Sequence, residues 1–352
     1  MAAVLPGMTD PKGHQASSPA EMEPPAWKDI LARTYKRVWD DNVGLVAAGV
    51  AFYAFFALLS LLVMTVLIYG LAADPRAIVE TVRALVTILP DDVVALIADQ
   101  LQLAAASSQG PKGFGLIVAF LVALYGGTNG AAAMLTALNI AYEEKEKRSL
   151  LRFYLVAAGM AVSALALALA AVTASAGVGY LRASLPADSS AVALVGRIAS
   201  YAALTAVAAA VAASLYRFGP SREEARWKWI TPGSLFTAIT WLVLTGLFGL
   251  WVTTVSDYSA SYGPLGAVVG LLTWLYLSAY VFILGAELNS EIEHQTARDS
   301  TTGSPEPLGD RGAWAADHVA TDDTVQDRPE EAREGEKLTQ SAPQVTEEEE
   351  KA

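Results

Sequence analysis

The chain has 352 residues, of which 53% are hydrophobic and 17% charged, and it contains no cysteine; a soluble domain carries ~25% charge, so an ordinary water-soluble protein is not the expectation. Without cysteine there is no disulfide framework, thiolate metal site or cysteine nucleophile, and the three histidines, His14, His294 and His318, all lie outside the apolar segments. The net charge of −12 is confined to one end: residues 1–286 balance 18 basic against 18 acidic residues, whereas 287–352 hold 6 against 18, so neither part offers the basic face that nucleic acid requires.

Residues 1–25 are polar and Pro-containing and do not read as a cleaved signal peptide. With too little apolar surface to offset chain entropy, they are expected to be a disordered N-tail. Trp27, Ile30, Leu31, Thr34, Val38 and Trp39 then recur at helical spacing, with Lys28, Arg33, Lys36 and Arg37 between them. That pattern predicts an amphipathic helix over 26–41 lying on a membrane surface.

Six intervals free of Asp, Glu, Lys and Arg follow, each 19 residues or longer. A helix needs ~20 mostly apolar residues to cross ~30 Å of hydrocarbon. The expected fold is therefore an all-α polytopic membrane protein with six transmembrane helices, at about 43–72, 113–141, 153–181, 198–216, 230–255 and 265–286, within a membrane domain of 42–290. Basic residues number thirteen in the N-terminal segment and the 143–152 and 217–228 loops, against five in the alternate loops. By the positive-inside rule both termini are cytoplasmic. The longest outer loop, 74–108, carries Asp74-Pro75 as a helix start and a break at Pro90, predicting an outer helical hairpin. Residues 291–352, ending in four consecutive glutamates, are expected to form a disordered acidic C-tail.

Polarity inside the spans is sparse, and so are the candidate sites. Gly126, Gly127 and Gly130 surround Asn129 in the second span. They serve either close helix packing, since Gly126 and Gly130 have small-xxx-small spacing, or a broken helix that lines a polar cavity. Asn139 lies near the cytoplasmic end of that span, and Tyr53 is among the few polar side chains of the first. Gly263, Pro264, Gly266 and Gly270 shape the turn into the sixth span, again as hinge or packing residues. Glu287 sits at the edge of the last apolar run: it is an interfacial acid, a partner for a basic loop residue such as Arg152 or Arg217, or a proton-coupling carboxylate. No phosphate-binding loop, zinc-binding helix, nucleophile elbow or two-metal cluster is present, so no catalytic residue, metal or cofactor is assigned.

Several of these segments form a pattern. The run Ala47-Ala48-Gly49-Val50-Ala51-Phe52-Tyr53-Ala54-Phe55-Phe56-Ala57-Leu58-Leu59, the segment Thr136-Ala137-Leu138-Asn139 before a charged loop, Trp229-Ile230-Thr231-Pro232-Gly233-Ser234, and Tyr262-Gly263-Pro264-Leu265-Gly266 leading to Leu284-Gly285-Ala286-Glu287-Leu288-Asn289 resemble the YihY/BrkB family of bacterial inner-membrane proteins over roughly residues 27–293. The resemblance implies a six-helix inner-membrane protein and brings two older labels, ribonuclease BN and a serum-resistance virulence factor. Ribonuclease chemistry of that kind needs a His/Asp metal cluster, and no histidine lies in the apolar segments. The reading is a transport or lipid-handling protein with Asn129, Asn139, Tyr53 and Glu287 lining its path and membrane lipids as its surroundings. The alternative is a non-transporting scaffold for an envelope protein partner.

Overall fold

A computed structural model describes residues 10–72, 112–164, 166–167, 190–254 and 264–320. The expected hairpin 74–108, the second half of the third expected span, Gly263, and the chain ends at 1–9 and 321–352 lie outside the described residues. The described helices are α1 (Pro24–Asp40), α2 (Val43–Ala72), α3 (Lys112–Ala141), α4 (Leu150–Ala164), α5 (Ser190–Phe218), α6 (Trp227–Thr254), α7 (Pro264–His294) and the four-residue α8 (Trp314–Asp317). Among the described residues no strand occurs, and one isolated antiparallel bridge joins Ala225 to Thr301. Four helices, α3, α5, α6 and α7, are long and apolar enough to cross a membrane, or five spans if the bent pair α1–α2 counts as one.

Pro24 and Pro25 open α1, where the missing N–H groups cost nothing because no helical acceptor exists for them. The helix ends on Asn42 with φ of +50°, a left-handed conformation that Asn tolerates better than most side chains. The turn redirects the chain by 63° into α2. Glu143, with φ of +55°, ends α3 in the same way.

Side-chain size is sorted inside out. The interior between α2, α3, α5, α6 and α7 is built largely from Ala47, Ala137, Ala141, Ala212, Ala279 and Ala286 around Tyr142 and Tyr216. Phe52, Phe56, Phe120, Leu121, Leu204, Leu247, Leu250 and Val269 face outward. In lipid, large apolar groups gain little by turning inward, whereas small ones let helices approach.

Two close crossings rest on glycine. A Cβ on Gly126 would stand 3.0 Å from Ala57 N and 3.1 Å from Ala57 Cα, so α3 lies backbone to backbone on α2. Helix α3 runs unbroken through Gly126–Gly130. A Cβ on Gly285 would overlap Thr237 Oγ1 and lie 2.6 Å from Tyr216 Oη, where α7 crosses α6. That crossing also repairs a defect. Pro232 sits inside α6 and interrupts its hydrogen-bond ladder. Asn289 of α7 answers with both ends of its amide, accepting from Gly233 N at 2.8 Å and donating to Ile230 O at 2.9 Å.

The terminal segments differ from the expected tails. Residues 10–25 and 295–320 are ordered and pack on the charged end of the bundle. Gln295 Nε2 donates to Lys12 O at 2.7 Å, Ala297 N to His14 O at 2.8 Å, and Thr296 Oγ1 to Ala16 O at 2.7 Å. Arg311, 5% exposed, donates to the carbonyls of Ala316 and Ala297 and so ties its own segment together. Composition suggests disorder because apolar residues are few. These segments are held instead by Ala16, Met22 and Ala26 packing on Trp229, Leu288 and Ile292 and by backbone hydrogen bonds to the rest of the chain, among them Ala297 N to His14 O and Ala320 N to His294 O, both 2.8 Å.

Candidate functional site

Helix α7 continues two turns past the expected end of its span, to His294. Its last turns carry acids and an amide at helical spacing. Glu287 and Glu291, four residues apart, share one face, and Asn289 and Glu293 share another.

The first face meets α1. The Glu291 carboxylate, 3% exposed, accepts from Arg33 Nε at 2.6 Å and Arg37 Nε at 3.2 Å, with His294 Nδ1 at 3.5 Å. Arg37 also pairs with Glu143 at the end of α3, and Arg33 donates to Gln295 Oε1. Trp314 of α8 covers this cluster, its ring 5.0 Å from His294 and 5.5 Å from the Arg37 guanidinium carbon. One turn further in, Glu287 is 1% exposed, and its Oε1 is buried without a hydrogen-bond partner. The charges that act on it belong to Asp41, Arg37, Glu291 and Glu143. Glu287 is thus buried within the protein, and the cation among the charges that act on it is Arg37. Arg217, one of the two expected partners, pairs with Glu224.

The second face meets the α5–α6 connection. Arg222 Nη2 and Glu293 Oε1 are 2.7 Å apart and both side chains are fully buried. The guanidinium stacks 4.4 Å from the Tyr142 ring centroid, and Ser300 Oγ donates to the other Glu293 oxygen at 2.9 Å.

Asn139 is 6% exposed and clasps two loops: Ser221 N donates to its Oδ1 at 2.7 Å, and its Nδ2 donates to Glu146 Oε2 at 2.9 Å. Glu146 also accepts from Arg148 N and Nε at 2.9 and 2.7 Å. Burial raises the Glu146 pKa, but the bonds from Arg148 and Asn139 outweigh it and hold it at about 2. A depressed carboxylate pKa stabilises the fold fully above the ordinary value of 4.5, and that stabilisation is lost as pH falls toward 2. Thermal unfolding of the wild type is therefore expected to weaken through this window more steeply than that of Glu146→Gln. Parallel pH profiles would contradict the assignment.

The remaining candidates disperse. Asn129 Nδ2 donates at 2.7 Å to Tyr125 O on its own helix. Tyr53 is 36% exposed beside Phe52. Gly127 packs on Ala161 and Gly130 on α2, whereas Gly270 faces open space; Pro264 and Gly266 lie in the first turn of α7. These positions do not converge on Glu287.

Beside the Glu287 cluster, the α1–α2 elbow and α7 enclose an open groove of about 470 Å³ lined by Val38, Trp39, Asn42, Gly44, Leu45, Tyr276, Leu277 and Tyr280. Trp39 and Tyr35 stack edge to face at 6.3 Å, and both are 67% exposed. Sequence reasoning placed Trp39 on an amphipathic helix but missed the groove, because Tyr276 and Tyr280 read as ordinary span residues. It also missed Glu291, Glu293 and Arg222. Their signal was the pair of i, i+4 repeats Glu287/Glu291 and Asn289/Glu293.

Apolar helices with lipid-sorted side chains and a buried ionic centre at one end define a multi-pass α-helical membrane protein. A family model described as Virulence factor BrkB matches residues 34–308, and the chain belongs to that family. Similar proteins include the "Putative ribonuclease-like protein YfkH" of Bacillus subtilis, 29% identical over 50% of this chain and 64% of its own length. Two UPF0761 membrane proteins are also similar: one from Delftia acidovorans, 26% identical over 76% of this chain and 65% of its own length, and one from Methylibium petroleiphilum, 25% identical over 74% and 61%. The chain spans less than two thirds of the length of these curated relatives. No solved structure matches it. Among the described residues no group of three or more His, Cys, Asp or Glu is arranged to hold a metal ion.

Proposed function

We propose that this chain crosses the bacterial inner membrane six times with both termini in the cytoplasm, and that it binds and moves an amphiphilic lipid. The observation that carries this reading is the groove between the α1–α2 elbow and α7. Its wall combines Val38, Leu45 and Leu277 with Trp39, Tyr276, Tyr280 and the Asn42 amide. An apolar wall edged by aromatic and amide groups suits a molecule that is apolar at one end and polar at the other. In the proposed orientation the elbow lies at the cytoplasmic interface, where Trp and Tyr rings sit at headgroup level.

A phospholipid carrying a photoactivatable acyl chain tests this in reconstituted protein. Crosslinks are expected to concentrate on the groove residues and to fall by about tenfold in Trp39→Ala, since losing a large apolar contact costs on the order of 1.4 kcal/mol or more. Trp39 is 67% exposed, so the fold survives its removal, and Leu247→Ala on the outer face of α6 is the control. Labelling spread equally over the groove and the Leu247 face would overturn the reading and favour a scaffold.

A further inference from the structure

Helix α1 is two-sided, and its four strongly basic side chains divide between the sides. Ala26, Ile30, Thr34 and Val38 are buried at helical spacing and pack the helix on α7. Arg33 and Arg37 flank that face and are engaged there, with Glu291, Gln295 and Glu143. The opposite face carries Leu31, Tyr35 and Trp39 in an i, i+4, i+8 row, each more than half exposed, with Lys28 and Lys36 exposed beside it. Neither lysine takes part in an ion pair among the described residues. Asp29 and Asp40, the acids of the helix, are half-buried on its flank.

An exposed apolar row edged by unpaired cations suits the interface of an anionic bilayer, with the apolar side chains among acyl chains and the ammonium groups on phosphates. The 63° bend between α1 and α2 agrees with that seat, because an α2 near the bilayer normal inclines α1 towards the membrane plane. The row also runs into the groove: Trp39 belongs to both, and Lys36 stands one turn before it as a neighbour on the helix surface. We propose that this face selects the lipid. Lys36, with Lys28 two turns further from the groove, binds the headgroup of an anionic phospholipid whose acyl chains lie along Leu31, Tyr35 and Trp39. A phosphate is common to all phospholipids, so the discrimination comes from the headgroup's net charge, and two lysines gain most from one that carries no ammonium of its own. As the selectivity of a moved lipid, this inference rests on the reading above. As a lipid-binding face it stands on α1 alone.

The test uses phosphatidylglycerol and phosphatidylcholine carrying the same photoactivatable acyl chain, each added to the purified full chain in phosphatidylcholine nanodiscs, and reads labelling of α1 and groove peptides by mass spectrometry. The wild type is expected to prefer phosphatidylglycerol by roughly tenfold or more. Lys28→Gln and Lys36→Gln should each cut that preference about fivefold, the worth of one lysine at an anionic surface, and the double variant should abolish it while phosphatidylcholine labelling stays unchanged. Both lysines are exposed, so the fold is kept, and thermal unfolding of each variant checks this. Arg152→Gln removes an exposed cation from α4 and controls for net charge. No preference in the wild type, a preference that survives the double variant, or one that Arg152→Gln lowers equally overturns the proposal. The lipid reading itself fails on a different result, phosphatidylcholine labelling spread equally over the groove and the Leu247 face, so the two failures are distinguishable.

Discussion

Glu293→Ala is expected to destabilise the protein by about 3–5 kcal/mol, because it strands the Arg222 guanidinium in the interior. Both side chains are fully buried, and Arg222 has no other carboxylate within ion-pair distance among the described residues. The Tyr142 ring at 4.4 Å stabilises the cation but does not replace its counterion. Thermal unfolding in detergent measures the loss. The double variant Arg222→Met/Glu293→Leu removes both charges and is expected to be less impaired than either single alanine variant, since the pair itself contributes less than the cost of breaking it. If Glu293→Ala unfolds like the wild type, the buried pair does not hold the α5–α6 connection to α7.

The second large effect belongs to Gly285. Its substitution by valine places a branched side chain where a single Cβ already overlaps Thr237 Oγ1 and approaches Tyr216 Oη and Gly233 O. Overpacking of a well-filled core costs ~1–3 kcal/mol, and the neighbouring Gly233 backbone leaves little room for relaxation. A loss at or above the upper end is expected, with reduced yield of folded protein in the membrane. Gly285→Ala combined with Thr237→Ala should recover part of it, because Tyr216 Oη keeps its 2.7 Å bond to Phe282 O after Thr237 is removed. No recovery in the double variant would place the strain on the backbone instead.

These two positions show how legible the fold was. Long charge-free runs locate α2, α3 and α6 because a bilayer demands continuous apolar helix. The same criterion stops at 286 although α7 runs on to His294, because it treats Glu287, Glu291 and Glu293 as solvent-facing when all three are buried and the last two are paired inside the protein. It likewise opens the fourth span at 198, whereas α5 begins at Ser190 and runs through Arg197. Gly126 and Gly130 spoke for packing through their spacing, and the close approach to Ala57 agrees with it. The Thr231–Ser234 and Leu284–Asn289 motifs were visible separately, but their joint meaning was not. That Asn289 bridges the ladder broken by Pro232 is a property of two helices brought together.

The candidate site was readable only in part. Glu287 stood out because an acid at the rim of an apolar run is unusual. Its neighbours did not, since Asp41 and Glu143 lie far from it in sequence and Arg37 belongs to a helix that periodicity assigns to the membrane surface. Composition also misassigned residues 295–320: Arg311 and Trp314 are single anchors in polar sequence, and an average over the segment hides them.

The measurement that tests the central claim most directly is transbilayer movement of a fluorescent phospholipid in proteoliposomes containing the purified full chain, compared with protein-free vesicles and with Trp39→Ala. The account predicts movement faster than in protein-free vesicles and a substantial loss in Trp39→Ala. Movement at the protein-free rate, with the protein folded and inserted, would contradict it.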